Sequence, residues 1–213
     1  MTTVSQARAP RGRRSTRPSG DDREQAILAT AEQLLQDRAF SDISVDDLAR
    51  GAGLSRPTFY FYFPSKDAVL LTLFERVIVE ADSTMQGRAG EAPGDVTQSW
   101  RDGIYAFLAS FRAHRAITLA ALAARATNPD LGALWSSFMN KWVARIAEII
   151  EAERARGAAP VTLAALDMST TLNLMNERVM TASLSGEEPA MAEEVAVDTL
   201  AHVWVTTIYG RLP

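Results

Sequence analysis

The chain predicts an all-α protein of about nine helices, on three observations. Apolar residues recur at i, i+3/i+4 and i+7 through most of its 213 residues. Gly, Pro and Asn clusters punctuate those patterns at intervals suited to helix ends. Past residue 94 no window shows strand alternation bounded by turns, and no 20–50-residue repeat points to a solenoid.

The first helix is expected over about Asp22–Arg38, capped by Asp21 or Asp22, with Ile27, Leu28, Ala31, Leu34 and Leu35 as its stripe. Phe40 and Ile43 close a small core over Leu48 and Leu54. Residues 44–66, SVDDLARGAGLSRPTFYFYFPSK, then organise the rest. Ser44 with Asp47 three residues on reads as an N-cap with a capping-box acid. Gly51-Ala-Gly-Leu54 closes that helix and turns the chain. Ser55 caps a short second helix with Pro57 in its first turn, and Pro64 ends it.

This spacing is a helix-turn-helix, with five consecutive aromatics in its second helix. A short helix buries one stripe. Phe59 and Phe63 therefore face inward, and Tyr60, Phe61 and Tyr62 are left wholly or partly outside. Beside Arg56, Thr58 and Lys66 they suit a DNA-reading surface, with hydroxyls for phosphates and aromatic faces for thymine methyls. A helical hairpin packing its aromatics in a core is the alternative.

Ser65 opens a helix that carries Val69, Leu70, Leu73, Phe74, Val77 and Ile78 to about Gln86, long enough to act as a lever. Gly87–Gly94 is the clearest internal break. Further helices are expected from Asp95 or Thr97 to Arg112, over Arg115–Thr127, and from Asn128-Pro129 to about Arg156. The last two run from Thr162 to about Leu184 and from beyond Pro189 to near Tyr209.

Composition narrows the function. There is no cysteine, so thiolate catalysis and thiolate metal sites are excluded. No apolar run reaches the roughly 20 residues that span a membrane, and no apolar segment follows the N-terminal arginines, so a cytoplasmic location is expected. Net charge is −4, but residues 1–20 hold Arg8, Arg11, Arg13, Arg14 and Arg17 and no acid. That segment reads as disordered when free, either an arm for the DNA backbone or minor groove, or a solubilising tail. His114 and His202 lack metal-ligand spacing, and no phosphate loop or nucleophile elbow occurs. Neither an enzyme nor a cofactor is expected. Glu148, Glu151 and Glu153 read as a solvated face with Arg154 and Arg156.

Two apolar faces stand out in the body. Trp100, Ile104, Phe107, Leu108 and Phe111 form one, and Trp135, Phe138, Met139, Trp142 and Ile146 another. Trp204 shares a side with Leu200 and Ile208. Such stripes serve as core or as the wall of a cavity. Asn173, Asn176, Glu177 and Met180 fall at i, i+3, i+4 and i+7, so amides and a carboxylate share one helix face. Buried amides need partners, and an apolar pocket with a few fixed polar groups is the usual small-molecule site. Asn176 would donate to a ligand acceptor, with Asn173 as a second contact; amides at a helix–helix contact are the alternative. Small and β-branched residues (Thr170, Thr171, Ala182, Val195, Val197, Ala201, Val205 and Thr206) suit a four-helix interface between two copies.

The stretch 44–66, with A-G-L-S, P-T-F-Y, Y-F and S-K-D, resembles the DNA-binding signature of the TetR family of repressors. N-x-x-N-E-R at 173–178 and the four spaced tryptophans make the whole chain similar to the EthR-type group. The resemblance implies a helix-turn-helix domain over 21–66, behind the arm of 1–20, and a ligand-binding and dimerisation domain over 67–213. It implies a homodimer on double-stranded operator DNA, released when a lipophilic small molecule enters a tunnel, at the promoter of a monooxygenase gene in that group. Arg56, Thr58, Tyr60, Phe61 and Tyr62 would then enter the major groove or grip its flanks, and Ser44 and Lys66 would hold phosphates. The implied tunnel wall is Trp100, Ile104, Phe107, Phe111, Trp135, Met139, Trp142, Asn173, Asn176, Glu177, Met180 and Trp204. Arg145, Ile146 and Thr181 depart from the group's pattern, and Arg145 is expected in solvent, paired with Glu148 at i+3. A DNA-binding activator, or a lipid- or metabolite-binding helical module, are the rival functions.

Overall fold

A computed structural model describes residues 20–88 and 95–210 of the chain; the arm of 1–20, save Gly20, and most of the break before residue 95 lie outside them. The described residues form nine α-helices and no strand. They are α1 Gly20–Leu35, α2 Val45–Gly51, α3 Arg56–Tyr62, α4 Lys66–Arg88, α5 Val96–Ala113, α6 Arg115–Ala124, α7 Pro129–Ala155, α8 Ala165–Ser185 and α9 Glu193–Tyr209. A single 3-10 turn, Phe40–Asp42, sits between α1 and α2.

The ends follow local chemistry. The Ser44 hydroxyl accepts from the Asp47 amide while the Asp47 carboxylate accepts from the Ser44 amide, a complete capping box on α2. Ser55 caps α3, Asp95 caps α5, and the Asn128 side chain accepts from the amides of Asp130 and Leu131 at the start of α7. Between α2 and α3 the chain turns through Gly53 at φ +69°, a left-handed conformation that favours glycine. Gly51 answers a different need. A Cβ there would lie 2.3 Å from Thr30 Cγ2, so its absence lets α2 close on α1.

Several boundaries differ from the sequence expectation. α1 ends at Leu35, before Arg38, whose guanidinium instead donates to the Asp42 carbonyl and, at 3.3 Å, to Asp47. Asp21 and Asp22 lie inside its first turn, where their charge suits the helix dipole, and the residue before Gly20 lies outside the described residues. α4 continues through Gly87 to Arg88. α6 stops at Ala124, because Asn128 is committed to α7. α8 starts at Ala165, three residues after Thr162, since Arg154 Nη2 holds the Leu163 carbonyl of the preceding extended segment at 2.8 Å.

One contiguous core runs through the described residues, and α4 passes through its length, packed on α1, α5, α6 and α7. Val69, Leu70, Leu73, Phe74, Val77, Ile78 and Ala81 of α4 are all buried. α9 packs on α5 and α8 on α7, and the pairs Arg101–Asp198 and Arg112–Glu193 tie α5 to α9. Four residues expected at an interface between copies, Ala182, Val197, Ala201 and Val205, are buried within this chain instead. The outward faces of α8 and α9 carry Leu166, Leu174 and Val195. Nor are all the residues read as a solvated face free in solvent. The Arg154 side chain is only 5% exposed and that of Glu153 15%. No helix among the described residues is long and apolar enough to cross a membrane.

Phe59 has no accessible surface and links α3 to the core. Phe59→Ala is expected to destabilise the protein by about 3–5 kcal/mol, read as a fall in the thermal midpoint.

Candidate DNA-reading head and effector cavity

α3 presents the arrangement its sequence implies. Phe59 and Phe63 are buried, Tyr60 and Phe61 are 46% and 83% exposed, and Tyr62 is half-buried. Arg56, at the first turn, donates from Nη1 to Asp46 Oδ2 at 2.7 Å and from Nη2 to the Tyr60 hydroxyl at 3.2 Å. Its guanidinium carbon also lies 5.7 Å from the Tyr60 ring centre. Thr58 Oγ1 shares a 2.8 Å hydrogen bond with Ser55 Oγ.

The two residues expected at phosphates are occupied elsewhere. Lys66 Nζ donates to the carbonyls of Phe40, Ser41 and Ile43 at 2.9, 3.2 and 2.8 Å. An ammonium has three protons, so none remains for a phosphate. Lys66 instead closes the head, tying the first turn of α4 to the 3-10 turn. Ser44 gives its only hydroxyl proton to Asp47 Oδ2 at 2.7 Å. The Asp47 carboxyl is held down to about 2 by the hydroxyl and amide of Ser44, with Arg38 adding to the effect.

In the body, α4, α5, α7, α8 and α9 enclose a cavity of about 470 Å³. Seven of the twelve expected tunnel residues line it: Trp100, Ile104, Phe107, Trp142, Asn173, Asn176 and Trp204. Asn176 Oδ1 accepts from Trp204 Nε1 at 3.0 Å, so its amide N–H₂ is fixed in orientation and has no partner among the described residues. Asn173 is turned by its own donors to the carbonyl and hydroxyl of Ser169, at 2.9 and 3.3 Å, which aligns its carbonyl oxygen as an acceptor.

The other five lie outside the wall. Phe111 and Trp135 are packed edge-on at 5.4 Å, with Phe74 stacked on Trp135 at 6.0 Å, and Met139 is buried. Glu177 pairs with Arg125 at 2.6 Å, and that guanidinium sits 5.7 Å from the Trp135 ring centre. Met180 is fully buried and borders a separate recess beside Leu184. Phe111 and Trp135 thus belong to aromatic core beside the cavity, where rings fill one another's faces, while Glu177 is turned to Arg125. Trp135 Nε1 has no hydrogen-bond partner among the described residues.

Sequence reasoning missed the polar end of the cavity and its link to α4. Trp100 Nε1 donates to the Tyr209 hydroxyl at 3.3 Å, which donates to Glu153 Oε2 at 2.9 Å. Arg156 donates to both Glu153 oxygens and holds that carboxyl below its ordinary range, with Tyr209 adding to the effect. Burial foremost, with Glu153 beside it, pushes the Tyr209 hydroxyl up to about 12. On the opposite wall, Trp142 Nε1 donates to Asp82 Oδ1 of α4 at 3.2 Å, and Lys141 Nζ donates to both Asp82 oxygens at 2.7 and 2.6 Å. Asp82 and Trp142 lie sixty residues apart, and no local pattern pairs them. Tyr209, an aromatic at the end of a cavity helix, carried a weak signal. Arg145 pairs with Glu148 at 3.1 Å on the exposed face, as expected. His114 contacts Glu80 at 3.1 Å, and no metal-ligating group occurs among the described residues.

Two measurements check these assignments. Lys66→Met should lower stability by about 1–2 kcal/mol, since three carbonyls lose a charged donor, and should leave the salt dependence of DNA binding unchanged. A slope smaller by about one would mark a phosphate contact instead. In a spectrophotometric titration, one of the four tyrosines should ionise near 12 and vanish in Tyr209→Phe. Because the folded value is the higher, its stabilising effect is whole below about 10 and is lost as pH rises towards about 12.

Comparison with known proteins accounts for both halves. The family model "Bacterial regulatory proteins, tetR family" matches residues 27–73, and "Transcriptional regulator EthR, C-terminal domain" matches residues 100–210. The HTH-type transcriptional regulator EthR of Mycobacterium tuberculosis H37Rv is 60% identical over 99% of both chains. Its counterpart in Mycolicibacterium smegmatis is 55% identical over 100% of this chain and 98% of that one. Among solved structures, a TetR-family regulator from a Rhodococcus species superposes with a TM-score of 0.68 at 20% identity, over 88% of this chain and 99% of that one, a likeness of fold alone. The chain belongs to the TetR family of DNA-binding transcriptional regulators, and within it to the EthR type.

Proposed function

We propose that this regulator is a homodimeric repressor which a lipophilic small molecule releases from its operator. The head is residues 21–66 with the arm of 1–20, and residues 67–213 bind effector and partner. The observation that carries the reading is the bond from Trp142 to Asp82. One side chain is at once cavity wall and hydrogen-bond donor to α4, the helix that begins at the head. An effector pressing on Trp142 changes the fit of α4 against α7, and occupancy then favours one spacing of the two heads over another.

The cavity chemistry supports a ligand with an apolar body and one acceptor, taken by the free N–H₂ of Asn176. On DNA, Arg56, Thr58, Tyr60, Phe61 and Tyr62 form the reading surface. Leu166 and Leu174 of α8, with Val195 of α9, offer apolar area for the second copy, which a seven-residue reading helix requires for specificity. The promoter of a monooxygenase gene, the target in the EthR-type group, is the operator to test first.

Gel shifts on that promoter, with a series of alkyl esters and amides of eight to sixteen carbons, test the reading. Wild type should bind and be released by at least one member. Asn176→Ala should bind DNA equally well and need about tenfold more ligand for release, the equivalent of one hydrogen bond. Trp142→Phe keeps the wall and removes the N–H, so it should bind ligand yet release less DNA. No release by any ligand, or unchanged release in both variants, would sink the proposal. A reporter assay separates repressor from activator.

A further inference from the structure

Among the described exposed charged groups of the head, Arg56 alone is held on both prongs of its guanidinium by side chains, and one of the two comes from a different helix. Resting on the DNA-reading role above, we propose that Arg56 reads a guanine in each half-site and that Asp46 is the positioning residue that aims it.

Three observations lead there. First, the donors balance. A guanidinium has five N–H groups; Asp46 and Tyr60 take one each, and the remaining three cover the two acceptors, O6 and N7, that guanine shows in the major groove. Second, the charges favour a base over a phosphate. The Asp46 carboxylate is 2.7 Å from Arg56, so the pair is nearly neutral from a distance, and the carboxylate itself repels a phosphate. Directed N–H groups survive that cancellation while net attraction does not. Third, the side chain is arranged before DNA arrives. Arg56 and Asp46 are each about half exposed, 53% and 50%, yet the arginine stands against the Tyr60 ring and between two acceptors. A flexible arginine held this way loses less freedom on binding. Asp46 takes no part in the capping box, which uses Asp47, so its carboxylate is free for this duty.

The test is selection of duplexes from a random-sequence library by the full chain, followed by affinities on the selected duplex and its single-base variants at two salt concentrations. Wild type should enrich one guanine per half-site. Arg56→Gln should lose discrimination at that position by about tenfold or more and shift it towards adenine, the base a glutamine pairs with. Its salt slope should stay as in wild type. Asp46→Asn and Asp46→Ala should weaken discrimination several-fold at the same position, with affinity for unrelated DNA unchanged or raised, since a repulsive charge is gone. Circular dichroism of each variant should match wild type. The proposal is overturned if Asp46→Ala leaves discrimination unchanged at every position. It is equally overturned if Arg56→Gln weakens all duplexes alike with a salt slope smaller by about one, the mark of a phosphate contact. Enrichment of no sequence by wild type would overturn the DNA-reading role itself.

Discussion

One helix, α4, runs the length of a core that the head and the body share. The buried stripe of α4 begins at Val69 and Leu70, beside the head, and ends at Ile78 and Ala81, beside the body. A close-packed interior cannot absorb a shift of such a helix by stretching, because its neighbours sit in one another's grooves. Whatever displaces α4 at one end must therefore move what is packed at the other. The short helices α2 and α3 depend on this arrangement most, being seven residues each and too short to persist alone. They stand because Phe59 and Phe63 reach into the common core and because Lys66, the first residue of α4, gathers three carbonyls from the turn before α2.

The cavity is built on the same economy of contacts. Its apolar wall comes from α5, α7 and α9, and its polar groups are nearly all spent on each other. Trp204 orients Asn176, Ser169 orients Asn173, and the chain from Trp100 through Tyr209 and Glu153 to Arg156 closes the far end. Among the described residues, Asn176 keeps its amide donor and Asn173 its carbonyl acceptor, both held in direction. Beside it the cluster of Phe74, Phe111, Trp135 and Phe138 is filled by its own rings. Lining and core thus meet along a boundary of side-chain orientation rather than of sequence.

Electrostatics divides the head in a similar way. Its basic groups differ in what they have left to offer. Lys66 is saturated by backbone carbonyls, and Arg38 is drawn to Asp42 and Asp47. Arg56 retains donors and is aimed by two neighbours. Counting positive charges along residues 38–66 would rank these groups as equals; their partners rank them differently.

Much of this was legible in the sequence. Helical periodicity marked every long helix, and the side chains of Ser44, Ser55 and Asn128 marked three starts, with Asp95 one of two candidates for a fourth, because caps and stripes depend on residues close along the chain. The inward and outward division of the five aromatics followed from the same rule, and the resemblance of two motifs gave the family. What only the tertiary structure decided is which side chains meet across helices. Glu177 to Arg125, Trp142 to Asp82, Tyr209 to Glu153, Arg56 to Asp46 and Lys66 to three carbonyls are pairings between elements. Periodicity assigns a residue to a face, but the partner on the opposite face depends on crossing angles and helix ends. Five expected tunnel residues fell into core, and four expected interface residues into the chain's own interior, for that reason. The sequence by itself determined which helices form and which aromatics of α3 face outward; packing decided which of their side chains remain free to act.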